Sequence, residues 1–507
     1  MPWPRRKLLT LLDVGLIAGG GGPIEPPYPP ILDGVGVWYR ADQGAYTSTS
    51  ALFNGSNSLS IPINPTLATG STDFTWGGWM MFNSNPIAGV MNTPVWRIYS
   101  DGTGIRATVT GSAYVEAYSP AMANGTWYFI VAGYVARSGG QVYVLANNTI
   151  GGAGVGGGVG PATPQTTGNL DMGAGFNGRF QGWFQWNREL TVAERTFLYN
   201  AGVGRRFDEL DATIKTGLQG WWPMNELSGP RRDLSGNNNT LTDSGSVASA
   251  AGKYYEQAGS DNSPIAIWDD SGPNDFDLNQ GVVGNQPVLQ WDERNGKPVV
   301  RFDGVDDYMQ TGLIPGSALS GATAQTVFIV QRQSLTDAAS TTYNWDPDTS
   351  GANMLGAHLK YSDNVLYYDT GSAVGTGRLK AIAPEPWQGT WHVIEMVRDG
   401  STTNSSFTIE GNPISAYTAQ PTSPFNPAPS AVLRIAEHAI PAGTNIFQGD
   451  IAEFIMFNRT LTIPERTIVR NYLQNKWGIS SNKLITSGTN YGYLHINSTT
   501  NDRLAVN

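Results

Sequence analysis

The chain has 507 residues, a net charge of -10, no cysteine and only 14% charged residues. That length exceeds a single core, so several domains are expected. The missing cysteines exclude disulfides, zinc–thiolate sites and cysteine nucleophiles, and the negative balance speaks against general nucleic-acid binding. Turn formers (62 Gly, 31 Pro) and aromatic residues at 11% suit antiparallel β-sandwiches better than helical bundles. No apolar run reaches the roughly 18 residues of a membrane span.

In chain order, residues 1–30 read as an extended arm. Arg5-Arg6-Lys7 followed by Leu8-Leu9-Thr10-Leu11-Leu12 has the start of a signal peptide, but Asp13 breaks the apolar run and Gly19 to Gly22 replace a clear cleavage site. Residues 23–30, Pro-Ile-Glu-Pro-Pro-Tyr-Pro-Pro, form a stiff polyproline spacer. The expectation is an arm that docks on a neighbouring subunit through Trp3, Arg5, Arg6 and Lys7; a flexible tail is the alternative.

A β pattern starts at Val35-Gly36-Val37-Trp38-Tyr39 and opens a first module at 31–207. Within it, Gly151 to Gly160 is nearly pure Gly, Ala and Val and reads as a loop. Residues 208–254 read as a connector and the first strands of a second module, because Gly217-Leu218-Gln219-Gly220-Trp221-Trp222 restarts the β pattern. The second module continues over 255–479. Residues 480–507 are expected to add a strand or to pack on another chain.

The second module repeats the first. Asn187-Arg188-Glu189-Leu190-Thr191-Val192-Ala193-Glu194-Arg195-Thr196 returns as Asn458-Arg459-Thr460-Leu461-Thr462-Ile463-Pro464-Glu465-Arg466-Thr467. Thr191 with Glu194, and Thr462 with Glu465, spell the capping box of a helix. Pro464 sits in the first turn, where its missing N–H costs nothing. Upstream, Leu52 to Leu59 corresponds to Arg301 to Tyr308, and Asp73 to Trp76 corresponds to Gln325 to Phe328. Gly125 to Ile130 corresponds to Gly389 to Ile394, and Gln141 to Val144 to Ser406 to Ile409. Most are short runs with the strand signature. A strand-turn-helix unit repeated at domain spacing implies two copies of one domain.

These ordered motifs, Phe-(Asn/Asp)-Gly, Gly-Thr-Trp and Asn-Arg-x-Leu-Thr-x-x-Glu-Arg, resemble the laminin-G-like, concanavalin A-like lectin/glucanase superfamily. Trp268-Asp269-Asp270-Ser271-Gly272 and the segment from Asn295 to Gly304 add to the likeness, which covers roughly 80% of the chain. The resemblance implies an all-β fold: two concanavalin A-like antiparallel β-sandwich (jelly-roll) domains with short capped helices and the extended arm. The superfamily includes lectins, structural modules and glycoside hydrolases, so function must come from sites.

The Glu-x-Asp-x-x-Glu strand motif of the retaining glucanases is absent. The nearest approach, Glu209-Leu210-Asp211-Ala212-Thr213-Ile214, lacks the final acid. His358, His392, His438 and His495 show no metal-ligand spacing, and no Gly-x-Ser-x-Gly elbow marks a nucleophile. A non-enzymatic protein is expected. Calcium is the cofactor the resemblance allows, at the rim of a sandwich. Asp303, Asp306 and Asp307 offer hard oxygen ligands, while the matching first-module positions are Asn54, Asn57 and Ser58. A plain polar turn is the alternative; Asp269-Asp270 and Asp346-Pro347-Asp348 are further acidic loops. For carbohydrate, the candidate stacking rings are Tyr343 and Trp345, then Trp96, Tyr99 and Tyr118. The other tryptophans, including Trp76, Trp79, Trp127, Trp183 and Trp391, read as core.

Similar cysteine-free tandem modules occur in bacterial surface proteins and in bacteriophage virion proteins. The basic arm and the lack of a convincing export signal favour the virion. The expected function is a structural and adhesive virion protein, such as a capsid decoration, fibre or tail component. It would be held by other virion proteins through its arm, form a homo-oligomer and bind host-surface glycans multivalently. A bacterial secreted or cell-surface carbohydrate-binding protein is the alternative, and a glycoside hydrolase is less favoured.

Overall fold

The computed structural model describes residues 31–479 except the segments 70–71, 85–86, 111–113, 137–139, 151–164, 259–260, 335–338, 348–352, 372–376, 400–404, 415–424 and 439–442. Trp3, Arg5, Arg6, Lys7, the tail 480–507 and the glycine-rich stretch 151–160 lie outside the described residues.

The fold is all-β, built from antiparallel sheets stacked as two sandwiches. Phe53, Trp76, Met80, Ile98, Met172, Phe180 and Trp222 belong to the first core. Tyr39, Trp268, Phe302, Leu366, Trp387 and Phe454 belong to the second. In each sandwich one sheet carries a helix on its outer side, over a smaller second core; among the described residues the other sheet is bare. The helices are Val192–Tyr199 and Ile463–Trp477.

Both helices start as expected. The capping box is present at Thr191 and Glu194 and at Thr462 and Glu465. The turn arginine grips the same glutamate in each copy, Arg188 to Glu194 at 2.7 Å and Arg459 to Glu465 at 2.7 Å. Below the turn, Thr75 donates to the Arg188 carbonyl (2.9 Å) and accepts from the Leu190 N–H (3.1 Å). Thr326 does the same with Arg459 (3.0 Å) and Leu461 (2.9 Å). Thr75 therefore matches Thr326, one residue away from the alignment expected by sequence. Strand side chains alternate with period two, so that slip would have turned every residue to the wrong face.

Strand pairing redraws the module boundaries. Strand Val35–Arg40, expected in the first module, pairs with Gln448–Phe457 of the second sandwich, with Trp38 opposite Ile455. Strand Leu218–Trp222, expected to open the second module, pairs with Asn177–Trp186 of the first, with Trp221 opposite Phe184. Thr242–Ser244 and Ala248–Gln257 also pair with first-sandwich strands. The first sandwich is thus residues 45–257, inserted after the opening strand of the second. The expected divisions at 31–207, 208–254 and 255–479 are corrected accordingly. The two exchanged strands share a Gly-x-x-x-Trp pattern, Gly34 to Trp38 and Gly217 to Trp221, and local pattern carries no information about which partner a strand takes. Strand Ala45–Asn54 joins the halves: Phe53 pairs with Gly178 of the first sandwich, and Tyr46 with Ile267 of the second.

The copies differ beneath their helices. In the second, Glu395 is 2% exposed and accepts from Arg466 (3.1 Å) and Arg470 (2.9 Å). With Thr75 matched to Thr326, strand register puts Val131 at the position of Glu395. Tyr199 stands in place of Arg470. Removing one partner of a buried ion network strands the other charges. Glu395→Val alone is expected to lower unfolding stability by about 3–5 kcal/mol, and adding Arg470→Tyr should recover part of that loss, both read by denaturant titration. A fragment of residues 45–257 should melt cooperatively on its own, whereas residues 258–479 should not without the 31–43 strand.

Candidate ligand-binding faces

Three of the expected sugar-stacking rings are core residues. Tyr343, Trp345 and Trp96 are each 0% exposed. Trp345 packs edge-on against Phe425 at 5.6 Å, Tyr343 against Phe454 at 5.2 Å and Trp96 against Phe74 at 4.9 Å. Tyr343 and Trp345 are two apart on one strand, so they share a face, and that face is the inward one. These three assignments are corrected. Tyr99 lies on the outward face, half-buried, and its hydroxyl donates to Glu116 Oε1 at 2.6 Å. Tyr118 is 54% exposed. Trp76, Trp79 and Trp183 are in the cores.

Asp303, Asp306 and Asp307 do come together, with carboxylate oxygens within 4.8 Å of one another. Asp303 Oδ1 accepts from the Val305 N–H at 2.8 Å, and Asp307 Oδ2 accepts from the Asp303 N–H at 2.9 Å. The first sandwich builds the same reciprocal turn with amides. Asn54 Oδ1 accepts from the Ser56 N–H at 2.9 Å, and Asn57 Oδ1 accepts from the Asn54 N–H at 3.0 Å. Asn57 therefore matches Asp307, not Asp306, and the expected pairing of Ser58 with Asp307 is corrected. The turn is one residue longer in the second copy. Burial pushes the Asp307 carboxyl up to about 7, with the charges of Asp303 and Asp306 adding to the effect.

Other polar candidates are tied into the scaffold. Asp270 accepts from the Trp38 (2.8 Å), Gly272 (2.8 Å) and Phe276 (3.1 Å) N–H groups, and Asp269 faces Arg206 at 3.5 Å. His392 meets Glu410 at 3.0 Å and stacks on Trp387 at 4.3 Å.

Sequence reading missed a surface that only strand register reveals. On the outward face of the first sandwich's bare sheet, successive cross-strand partners run Thr242, Ser60, Asp171, Asn92, Arg97, Thr108 and Glu116. Every one is polar. Their inward neighbours Leu59, Ile61, Leu170, Met172, Met91, Trp96 and Ile98 all enter the core, so the alternation that buries those residues turns the row outward, where Thr108 alone of the seven is covered, at 1% exposed. Tyr99, Arg106 and Tyr118 form the next row.

The middle of the row has unused bonding capacity. Among the described residues, the Asp171 carboxylate has no hydrogen-bond or ion-pair partner, and partial burial alone raises its pKa. Asn92 Oδ1 is buried with no partner. Arg97 is exposed and lies over the Tyr99 ring at 5.6 Å. Unpaired polar groups that have lost water cost free energy, and a hydroxyl-rich ligand would relieve that cost.

No protein-family model matches the sequence, and no curated protein is similar to it in sequence. Solved structures give distant likenesses. A putative carbohydrate binding protein from Bacteroides ovatus has 13% identity and a TM-score of 0.32; the match covers 40% of this chain and 60% of that one, less than two thirds of its length. Mouse laminin alpha1 chain domains LG4-5 have 9% identity and a TM-score of 0.26, over 86% of this chain and 96% of that one. The Ruminococcus gnavus IT-sialidase CBM40, bound to alpha2,6 sialyllactose, has 11% identity and a TM-score of 0.25, over 29% and 84%. At such scores the fold assignment stands on strand order, not on these likenesses.

The acidic turn generates a pH prediction. The folded pKa of Asp307 lies above its unfolded value, so its contribution to stability is complete at low pH and is lost as pH rises from about 4 to about 7. Asp307→Asn, which copies Asn57, should flatten the decline of melting temperature with pH in that window. An unchanged slope would remove Asp307 as its source.

Proposed function

We propose that the chain is a non-enzymatic, adhesive glycan-binding protein, and that the outward row on the first sandwich's bare sheet is its binding surface. One observation carries this reading: among the described residues the Asp171 carboxylate and Asn92 Oδ1 have no hydrogen-bond partner and Arg97 has no ion pair, beside the rings of Tyr99 and Tyr118. Sugars need that combination, polar groups for hydroxyls and an aromatic face for the ring. Hydrolysis at this row is disfavoured by spacing. Asp171 and Glu116, its two carboxylates, are four strands apart, about 19 Å at the strand spacing. A glycosidase pair sits within roughly 5–9.5 Å.

Glycan-array binding by the whole chain should therefore be weakened about ten-fold or more by Asp171→Ala with Asn92→Ala, while melting temperature holds or rises. Undiminished binding would place the site elsewhere.

Calcium at Asp303, Asp306 and Asp307 is a second, accessory reading. The amides of the first sandwich build the same turn, so the negative charge in the second is surplus to it and suits a cation. Three carboxylates are few for an ion that takes 6–8 oxygens, and the affinity should be weak. Calorimetric Ca²⁺ affinity should rise as pH passes about 7, when Asp307 ionises. No binding at pH 8 would leave the cluster as a turn.

Display on a virion, with Trp3, Arg5, Arg6 and Lys7 anchoring the arm to other structural proteins of a homo-oligomeric assembly, is supported by the sequence features of the arm. The extracellular or cell-surface setting is the alternative. Recovering the N-terminal peptide from purified particles separates the two.

A further inference from the structure

We infer that the two sandwiches have divided labour: the row in the first takes a carboxylate-bearing glycan, with Arg97 receiving the carboxylate, while the matching row in the second is closed by its own ion pairs. This deepens the glycan-binding reading and rests on it.

The charge partners within the first sheet single out Arg97. Arg106 is occupied by Asp101 at 2.7 Å and Glu116 at 3.1 Å. The Tyr99 hydroxyl is also committed to Glu116. Arg97 makes no ion pair among the described residues, and its guanidinium rests on the Tyr99 ring. That stacking restrains the side chain before a ligand arrives, and the planar fork left open matches a carboxylate in two-point contact. The nearest row carboxylate, Asp171, stands two strands away, about 10 Å. It is too far to neutralise Arg97 and well placed to accept hydroxyls from the same ligand.

The second sandwich has the same row by register: Asn279, Gln310, Arg434, Asn344, Gly356, Asp369 and Arg378. With Asn57 matched to Asp307, Ser60 matches Gln310, and the rows then align strand by strand. Gly356 replaces Arg97, so the open cation is gone. Arg434, in the place of Asp171, is paired with Glu437. Asp369 is 0% exposed and is gripped by Arg378 at 2.5 and 2.6 Å. The second row spends the charges of Arg434, Asp369 and Arg378 within the chain, and although Gln310 Oε1 is buried without a partner there, no open cation remains in it.

The test uses the full chain on an array of oligogalacturonates and glucuronate-containing chains beside their methyl esters. The wild type should prefer the free acids, less so at high salt. Arg97→Gln should lower acid binding about ten-fold and ester binding by less, so that the acid-to-ester ratio falls. Gln310→Ala should change neither. Equal binding of acids and esters by the wild type, or an unchanged ratio in Arg97→Gln, overturns the carboxylate assignment while the glycan-binding reading stands. Weakened binding in Gln310→Ala overturns the division of labour. Binding of neither probe class or of any neutral glycan removes the glycan-binding reading and this inference with it.

Discussion

The antiparallel pairing of Val35–Arg40 with Gln448–Phe457 is the contact on which the arrangement depends. It joins segments some four hundred residues apart in sequence, with the whole first sandwich between them, and covers what would be a sheet edge. Trp38 seals it from three sides. Its N–H donates to Asp270 at 2.8 Å, its indole N–H donates to the buried Glu453 at 2.7 Å, and Arg40 lies over its ring at 4.3 Å. Glu453 in turn accepts from Lys476 and from the Trp477 indole, each at 2.8 Å. One tryptophan thereby connects the opening strand, the Trp-Asp-Asp-Ser-Gly loop and the closing helix.

Much of this was legible in the sequence where the cause is local. Helix starts at Thr191 and Thr462 depend on residues three apart, and both capping boxes formed. The all-β class followed from turn content and alternation. What failed was non-local. Whether Leu218–Trp222 pairs forward or backward is decided by packing across the chain, and its sequence looks alike in either case. Tyr343 and Trp345 alternate with Asn344 and Asp346, a polar setting that reads as an exposed loop. Their spacing of two fixes only that they share a face, not which face. The Ser60, Asp171, Asn92 and Arg97 row was invisible for the same reason: its members are up to 111 residues apart in sequence and adjacent only through register.

The duplicated frame clarifies which residues are scaffold. Where both copies keep a feature, geometry explains it. A Cβ at Gly178 would lie 2.1 Å from the Met81 carbonyl, and one at Gly449 would lie 2.2 Å from that of Arg332. The reciprocal turn at Asn54 and Asn57 recurs at Asp303 and Asp307. Where the copies diverge, there is freedom: beneath the helix, Glu395 with two arginines against Val131; on the bare sheet, closed ion pairs against an open row. The second sandwich pairs the charges of its row internally, and the first leaves Asp171 and Arg97 without an ion-pair partner among the described residues.

The most direct measurement is a crystal structure of the whole chain with an oligosaccharide bound. The account predicts sugar density across Ser60, Asp171, Asn92 and Arg97, with a ring near Tyr99 or Tyr118. Density confined to the Asp303–Asp307 rim, or to the Arg434 and Asp369 face of the second sandwich, would contradict it.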